Sequence, residues 1–314
     1  MNIDKAITII QYNESYKSTW DSFVDLSKNA TFLFKRDFME YHKDRFADCS
    51  LLFFLEDELV AILPATIKDA SVFSHQGLTY GGLLVKQTVR FALYKQLFAH
   101  LIAFLKERSI TDLFIKTIPS IYSESANDEL MFLQQSYQCS IEYNIGSVIY
   151  NNESLIVSKS ILRNANKAKR LGIEIKKSND FDFFWNELLV PRLNNKFGKK
   201  PIHSLEEMIK LKALFSNEIE LIGAFLNNEM IAGTILFQNK KYTKSQYIAG
   251  NPSFNKLGGL DLLHLEIIHQ LNKPYFDFGT SSSDETFIEK ESLLAWKEQF
   301  GARTIVFSTY HFKI

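Results

Sequence analysis

One stretch of this chain occurs twice. Phe54-Leu55-Glu56-Asp57-Glu58-Leu59-Val60-Ala61 lies on Phe225-Leu226-Asn227-Asn228-Glu229-Met230-Ile231-Ala232 at a constant offset and without a gap. Each copy reads as strand, polar turn, strand, the pattern of a tight hairpin. The order downstream repeats as well. A glycine-containing loop follows, Gly77 to Gly82 in one copy and Gly250 to Gly259 in the other, then an amphipathic helix and a short strand. The first helix spans Val89 to Arg108, with Leu93, Leu97, Leu101 and Leu105 in one i to i+4 stripe. The strands are Asp112 to Lys116 and Tyr275 to Gly279. Chance similarity in a chain rich in Phe, Ile and Leu is the competing explanation. The shared order of elements favours an internal duplication of one α/β unit.

At 314 residues the chain has room for two such units, each with its own core. The polar turn Asn151-Asn152-Glu153 marks a boundary and divides the chain into residues 1–150 and 151–314. With 36 basic and 36 acidic side chains, it is not built as a whole to grip DNA or an anionic membrane. Cys49 and Cys139 are too few and too far apart for a disulfide framework or a cysteine zinc site. The apolar run Ala6 to Ile10 is short for a signal sequence, and Leu97 to Leu105 falls far below the ~20 residues of a membrane span. These features predict a soluble cytoplasmic protein. They leave its oligomeric state open.

The motif search mostly excludes. Gly77-Leu78-Thr79-Tyr80-Gly81-Gly82 has the glycine spacing of a P-loop, but Leu83 and Leu84 stand where Lys and Ser or Thr would touch phosphate and Mg²⁺. No G-x-G-x-x-G or G-x-S-x-G occurs, which removes the usual dinucleotide and hydrolase signals. His264 and His269 are five residues apart, roughly 140° around a helix, so they do not share a metal, and no metal site is expected. The segment Ser158 to Lys177 is strongly basic; Ser160 is its expected N-cap and Gly172 its stop, with Arg163, Lys167 and Arg170 on one face. Ser204 with Glu207 has capping-box spacing, and His203 precedes it.

Three segments of the second half carry a resemblance. They are Arg163, Ala168 and Gly172 in the basic helix; Tyr275, Asp277, Phe278 and Gly279 in the late strand; and Lys297, Phe300 and Gly301, with Trp296 where a Phe is usual. Together they resemble the Fem-like branch of the GNAT acyltransferase superfamily, whose members hold two GNAT-like units in tandem. The resemblance implies an α/β fold of two GNAT-like units, with mixed, mostly antiparallel sheets flanked by helices. It also implies an N-acyltransferase that moves an acyl group from a thioester, acetyl-CoA being the expected donor, to the amine of an amino sugar or amino acid in cell-envelope or surface-polysaccharide synthesis. The aminoacyl-tRNA-dependent members of the best-known kind insert a long helical hairpin, and no heptad-patterned insertion is visible here, so tRNA is the less favoured donor. A third reading is a GNAT repeat that binds a ligand without turnover.

The resemblance also assigns residues. Asn255, Lys256, Gly258, Gly259 and Leu260 stand where a loop and helix start bind the coenzyme A pyrophosphate, although Asp261 departs from the usual pattern. The glycines also suit a plain turn into a helix. Asp277 is the expected base or amine-orienting group, with a turn cap or a pairing with Lys297 as the alternative. Tyr247 lies on the strand where GNAT enzymes place substrate and leaving-thiolate groups, and a packing role is its alternative. Arg163, Lys167 and Lys297 would bind substrate, Arg163 and Lys167 through a phosphate or carboxylate, unless the basic helix is a solvated face. The family's acceptor site draws on both units, which adds Arg36, Lys43, His75 and Tyr80 as expected substrate-binding residues.

Overall fold

A computed structural model describes residues 6–151, 155–281 and 291–314, so Asn152 and Glu153 of the expected polar turn lie outside the described residues. The described residues form two compact units, one of residues 1–143 with 306–314 and one of residues 144–305. The first contains β1 (Ile7–Gln11), β2 (Ala47–Asp48), β3 (Leu51–Leu55), β4 (Glu58–Leu63), β5 (Thr66–Lys68), β6 (Ser71–Phe73), β7 (Leu84–Val85) and β8 (Asp112–Lys116). Next come β9 (Cys139–Tyr150), β10 (Glu174–Ser178), β11 (Ile219–Leu226), β12 (Glu229–Gln238), β13 (Tyr242–Gly250), β14 (Tyr275–Thr280) and β15 (Arg303–Lys313). The division falls within β9, because that strand runs unbroken past residue 143 up to the turn expected to separate the halves.

In the first unit β1, β3, β4 and β7 form one sheet in that order. β8 pairs in parallel with β6 and antiparallel with the 309–313 part of β15. The Phe91–Lys106 helix buries Leu97, Phe98, Leu101 and Leu105 in a core shared with Phe53, Val60, Leu113 and Phe312. That buried face is the i to i+4 stripe read from the sequence. In the second unit β10, β11, β12 and β13 pair antiparallel in succession, β13 pairs in parallel with β14, and β14 meets the 146–150 part of β9. Its core joins Ile161, Ala165 and Ala168 of the Lys159–Arg170 helix to Leu262, Leu263, Phe276 and Phe300.

The two hairpins match in detail. In the first, the register shifts between Phe53 and Phe54, with Phe53 opposite Ala61 and Phe54 opposite Leu59. In the second, it shifts between Ala224 and Phe225, with Ala224 opposite Ala232 and Phe225 opposite Met230. Val60 and Ile231 are thus the extra residues of two β-bulges at matching places in the repeat. The turn residues Glu56 and Asn227 match too, with φ of 56° and 51°.

In the first unit Gly77 is held by contact. A Cβ there would lie 1.7 Å from His42 Nε2. His42 is itself boxed in by Tyr41, Phe46 and His75, with ring centroids 4.2, 5.2 and 5.2 Å away. We predict that Gly77→Ala costs about 3 kcal/mol, as overpacking of a tight site does. His42→Ala in the Gly77→Ala background should recover part of the loss in a urea melt, whereas no recovery would place the strain elsewhere.

Candidate active site

The second unit opens where its sheet parts. β12 and β13 pair with a register shift that sets Tyr247 opposite Ile235 and Ser245 opposite Leu236, leaving Gln246 as the extra residue of a bulge. On its other edge β13 pairs with β14 only from Tyr242 to Lys244, against Tyr275 to Asp277. Beyond that point Ser245 to Gly250 on one strand, with Phe278 and Thr280 on the other, line a cavity of about 580 Å³. This is the size of a small-molecule site. The remaining walls are the start of the Gly259–His269 helix, Arg192 and Leu193 of the Val190–Phe197 helix, and Trp296 and Lys297 of the Glu291–Glu298 helix.

The helix start is built by packing. Gly258 has φ of 83°, and a Cβ on it would come 2.5 Å from the Asn164 carbonyl oxygen. The same vector on Gly259 points at Ile231 and Ala224, so its small size serves the core. No side chain among the described residues caps this helix, and its positive end borders the cavity, an arrangement suited to an anion. Asp261 is turned to other duties. Its Oδ2 accepts from Asn164 Nδ2 at 2.8 Å and its Oδ1 from Trp296 Nε1 at 2.9 Å. The basic helix is capped by Ser158, whose Oγ accepts from the Ile161 N–H, while Ser160, the expected cap, donates to Gln299 Oε1 at 2.6 Å. Gly172, with φ of 79°, follows its end.

Charge gathers behind the opposite wall. Asp277 is fully buried, and its Oδ1 accepts from the Gly279 N–H at 2.7 Å. Lys297 Nζ donates to the carbonyls of Gly279 and Thr280 and to Ser281 Oγ at 2.8, 3.0 and 2.9 Å, which uses all three ammonium protons. Burial still pulls its pKa down to about 8, with Asp277 opposing and the cation of Lys244 adding to the fall. Lys244 is buried on β13 opposite Asp277, and burial lowers its pKa while Asp277 raises it. Beneath them His264 is fully buried against Phe278 and Trp296. Its Nδ1 donates to the Leu260 carbonyl at 2.9 Å, and desolvation holds its pKa at about 4. This imidazole is neutral at physiological pH.

No protein-family model and no curated protein matches this chain by sequence. Solved structures do match it. FemX aligns over 98% of this chain and 97% of its own, with a TM-score of 0.67 at 10% identity. L-PGS from Bacillus licheniformis covers 81% of each chain with a TM-score of 0.53 at 10% identity. A tandem GNAT protein from the clavulanic acid biosynthesis pathway covers 98% of each at 0.50 and 11%.

The chain has the tandem GNAT fold.

Within this GNAT fold the expected residues fall into groups. Tyr247, Asn255, Gly258, Gly259, Leu260 and Lys297 line the cavity. Lys256 is exposed outside it, its carbonyl accepting from Lys167 Nζ at 2.8 Å, and Arg163 is exposed on the same helix. Asp277 sits behind the wall as the cap of the Gly279 turn, the alternative read from the sequence. In the first unit, Lys43 is exposed but Arg36, His75 and Tyr80 are buried. Arg36 is held by Glu40 and Asp48 at 2.8 and 2.9 Å and lies over the Tyr12 ring. Tyr80 Oη meets Thr31 Oγ1 at 3.3 Å, between the rings of Phe34 and Tyr122. All three are packed inside the first unit, His75 against the His42 ring.

Two residues at the GNAT cavity or behind its wall escaped sequence reasoning. Arg192 stands on its wall and makes no hydrogen bond or ion pair to the described residues. An arginine set i+3 from Leu189 within an apolar helix was the available signal. Lys244 gave none, because its place opposite Asp277 depends on a strand distant in the chain.

Proposed function

We propose that the cavity of the second unit holds an acyl thioester of the coenzyme A type, with acetyl-CoA the simplest donor. The protein would transfer the acyl group to the amine of an amino sugar or amino acid used in the cell envelope or a surface polysaccharide. The observation that carries this reading is the opening between β13 and β14, with an uncapped helix start at its rim. The helix start and Arg192 suit the donor's phosphates, which need donors and positive charge. Phe278 and Trp296 offer an apolar wall to the acyl end. The bulge frees backbone groups at Gln246 to meet the oxygen on which charge develops, as acyl transfer requires. Lys297 adds fixed positive charge beside that opening and keeps the Gly279 turn in place. Tyr247 is the candidate proton-transfer group on this wall.

Thermal unfolding with coenzyme A, acetyl-CoA or total tRNA tests the reading. At 100 times the dissociation constant, coenzyme A should add about 2.7 kcal/mol of stability. Arg192→Ala should weaken that binding about 10- to 100-fold, since a charge-assisted contact is worth about 1.5–3 kcal/mol. The unliganded melting temperature should stay unchanged, because Arg192 has no partner to lose among the described residues. A response to tRNA alone would transfer the reading to aminoacyl transfer, and no response to either would favour a binding module.

A further inference from the structure

Tyr247 has a partner outside the cavity walls. His203 precedes the Leu205–Leu214 helix, and its Nδ1 lies 2.6 Å from Tyr247 Oη. The backbone N–H of His203 donates to the same oxygen at 3.3 Å. Both side chains are buried, at 7% and 9% exposure. The backbone at His203 is fixed by the capping box that follows, in which the Ser204 N–H donates to Glu207 Oε2 and the Glu207 N–H to Ser204 Oγ. Trp185 stands edge-on to the Tyr247 ring at 5.2 Å, and Phe237 faces the His203 ring at 6.4 Å. Of the two carboxylates in the first turn of that helix, Glu206 and Glu207, the second is committed to the helix cap.

Packing alone does not call for this arrangement, because one polar contact satisfies a buried phenol. Here a single residue supplies two contacts, one of them through an imidazole nitrogen, a group able to take up and release a proton. A phenol with an ordinary pKa of about 10 is already protonated at pH 7 and takes no further proton unless it passes its own along.

We propose that His203 is the positioning residue of the acyl transfer inferred above, holding the proton of Tyr247 so that the pair relays one proton. As the amine nitrogen bonds the thioester carbon, its N–H bond breaks toward Tyr247 Oη while the Tyr247 proton moves to His203 Nδ1. As the carbon–sulfur bond breaks, both protons run back and the sulfur leaves as a thiol, so the pair ends as it began. The relay requires His203 in the tautomer with its hydrogen on Nε2.

The test uses the full chain with acetyl-CoA and a panel of amino sugars and amino acids, measuring kcat and KM separately from pH 6 to 9. Against the wild type, His203→Ala and Tyr247→Phe should each lower kcat about 100-fold or more, with KM nearly unchanged. The double variant should lose little beyond either single one. The limb of the pH profile in the imidazole range should vanish in His203→Ala. His203→Gln keeps a hydrogen bond to Tyr247 and should keep the melting temperature, but not kcat. Wild-type kcat in His203→Gln, or an unchanged pH limb in His203→Ala, would overturn the relay and leave acyl transfer standing. No turnover by the wild type with any acceptor would overturn acyl transfer itself, and the relay with it.

Discussion

Lys297→Met is expected to destabilise the second unit by about 3–5 kcal/mol, the cost of removing one member of a buried charged cluster. Methionine is close to lysine in length, so the loss reports on the polar head. Without the ammonium, the carbonyls of Gly279 and Thr280 and the Ser281 hydroxyl lose their shared donor. Asp277 keeps the Gly279 N–H but loses one of the two lysine cations that counter its charge, leaving Lys244. The turn at Gly279, where φ is 75°, is then held by the Asp277 cap without the ammonium that ties its carbonyls together. A fall in melting temperature of roughly 10 °C would follow for a unit of this size. Adding Asp277→Asn should restore part of it, since the two charges are coupled. A Lys297→Met protein melting within about 2 °C of the wild type would show that the ammonium contributes no stability.

Mild acid should unfold the protein well before its exposed carboxylates titrate. His42 and His264 are held near pKa 4 and His75 near 3, in each case chiefly by burial. Nearby cations add to the fall, Arg45 for His42, Lys297 for His264, and Arg36, Lys116 and His42 itself for His75. In the unfolded chain each titrates near 6.5. Between about pH 6.5 and 4 the unfolded chain therefore binds more protons than the folded one, and stability rises with pH across that window. It falls on acidification, at a limiting slope of about 4 kcal/mol per pH unit when all three imidazoles differ between the states. Neither ring nitrogen of His42 has a hydrogen-bond partner among the described residues, so folding offers its charged form no compensation. Urea melts at pH 7.5, 6 and 5 should show the midpoint dropping steeply, and His42→Gln should flatten part of the drop. Equal midpoints at pH 7.5 and 5 would rule out buried neutral imidazoles.

The fold was legible wherever a signal was local or repeated. The hairpin at Phe54 to Ala61 declared its twin through eight consecutive positions, and the matched bulges show why that alignment needs no gap. The stripe Leu93 to Leu105 and the Ser204–Glu207 box rest on neighbours within a turn or two of helix, which spacing reveals. The site was half legible. Gly258 to Leu260 and Tyr247 follow chain order onto the cavity wall. Arg36, His75 and Tyr80 look like binding groups in a polar stretch, yet their partners, such as Asp48 for Arg36, are chosen by folding. A polar side chain reads alike in sequence whether it meets a ligand or another part of the core. Asp277 shows the same limit in part, because its neighbour Lys297 was foreseen but Lys244 arrives on another strand.

The return of residues 306–314 to the first unit bears on how the chain comes off the ribosome. The strand partner of Asp112 to Lys116 on the β15 side is made almost two hundred residues later, with Thr309 opposite Lys116 and Lys313 opposite Asp112. Tyr310 and Phe312 also complete the first core. A nascent chain therefore holds its first unit unfinished, with one edge of β8 open, throughout synthesis of the second. Vectorial order is reversed. The unit that emerges first is the last to close, and an exposed strand edge must wait in the meantime, which is where chaperone capture or pairing between nascent chains would begin.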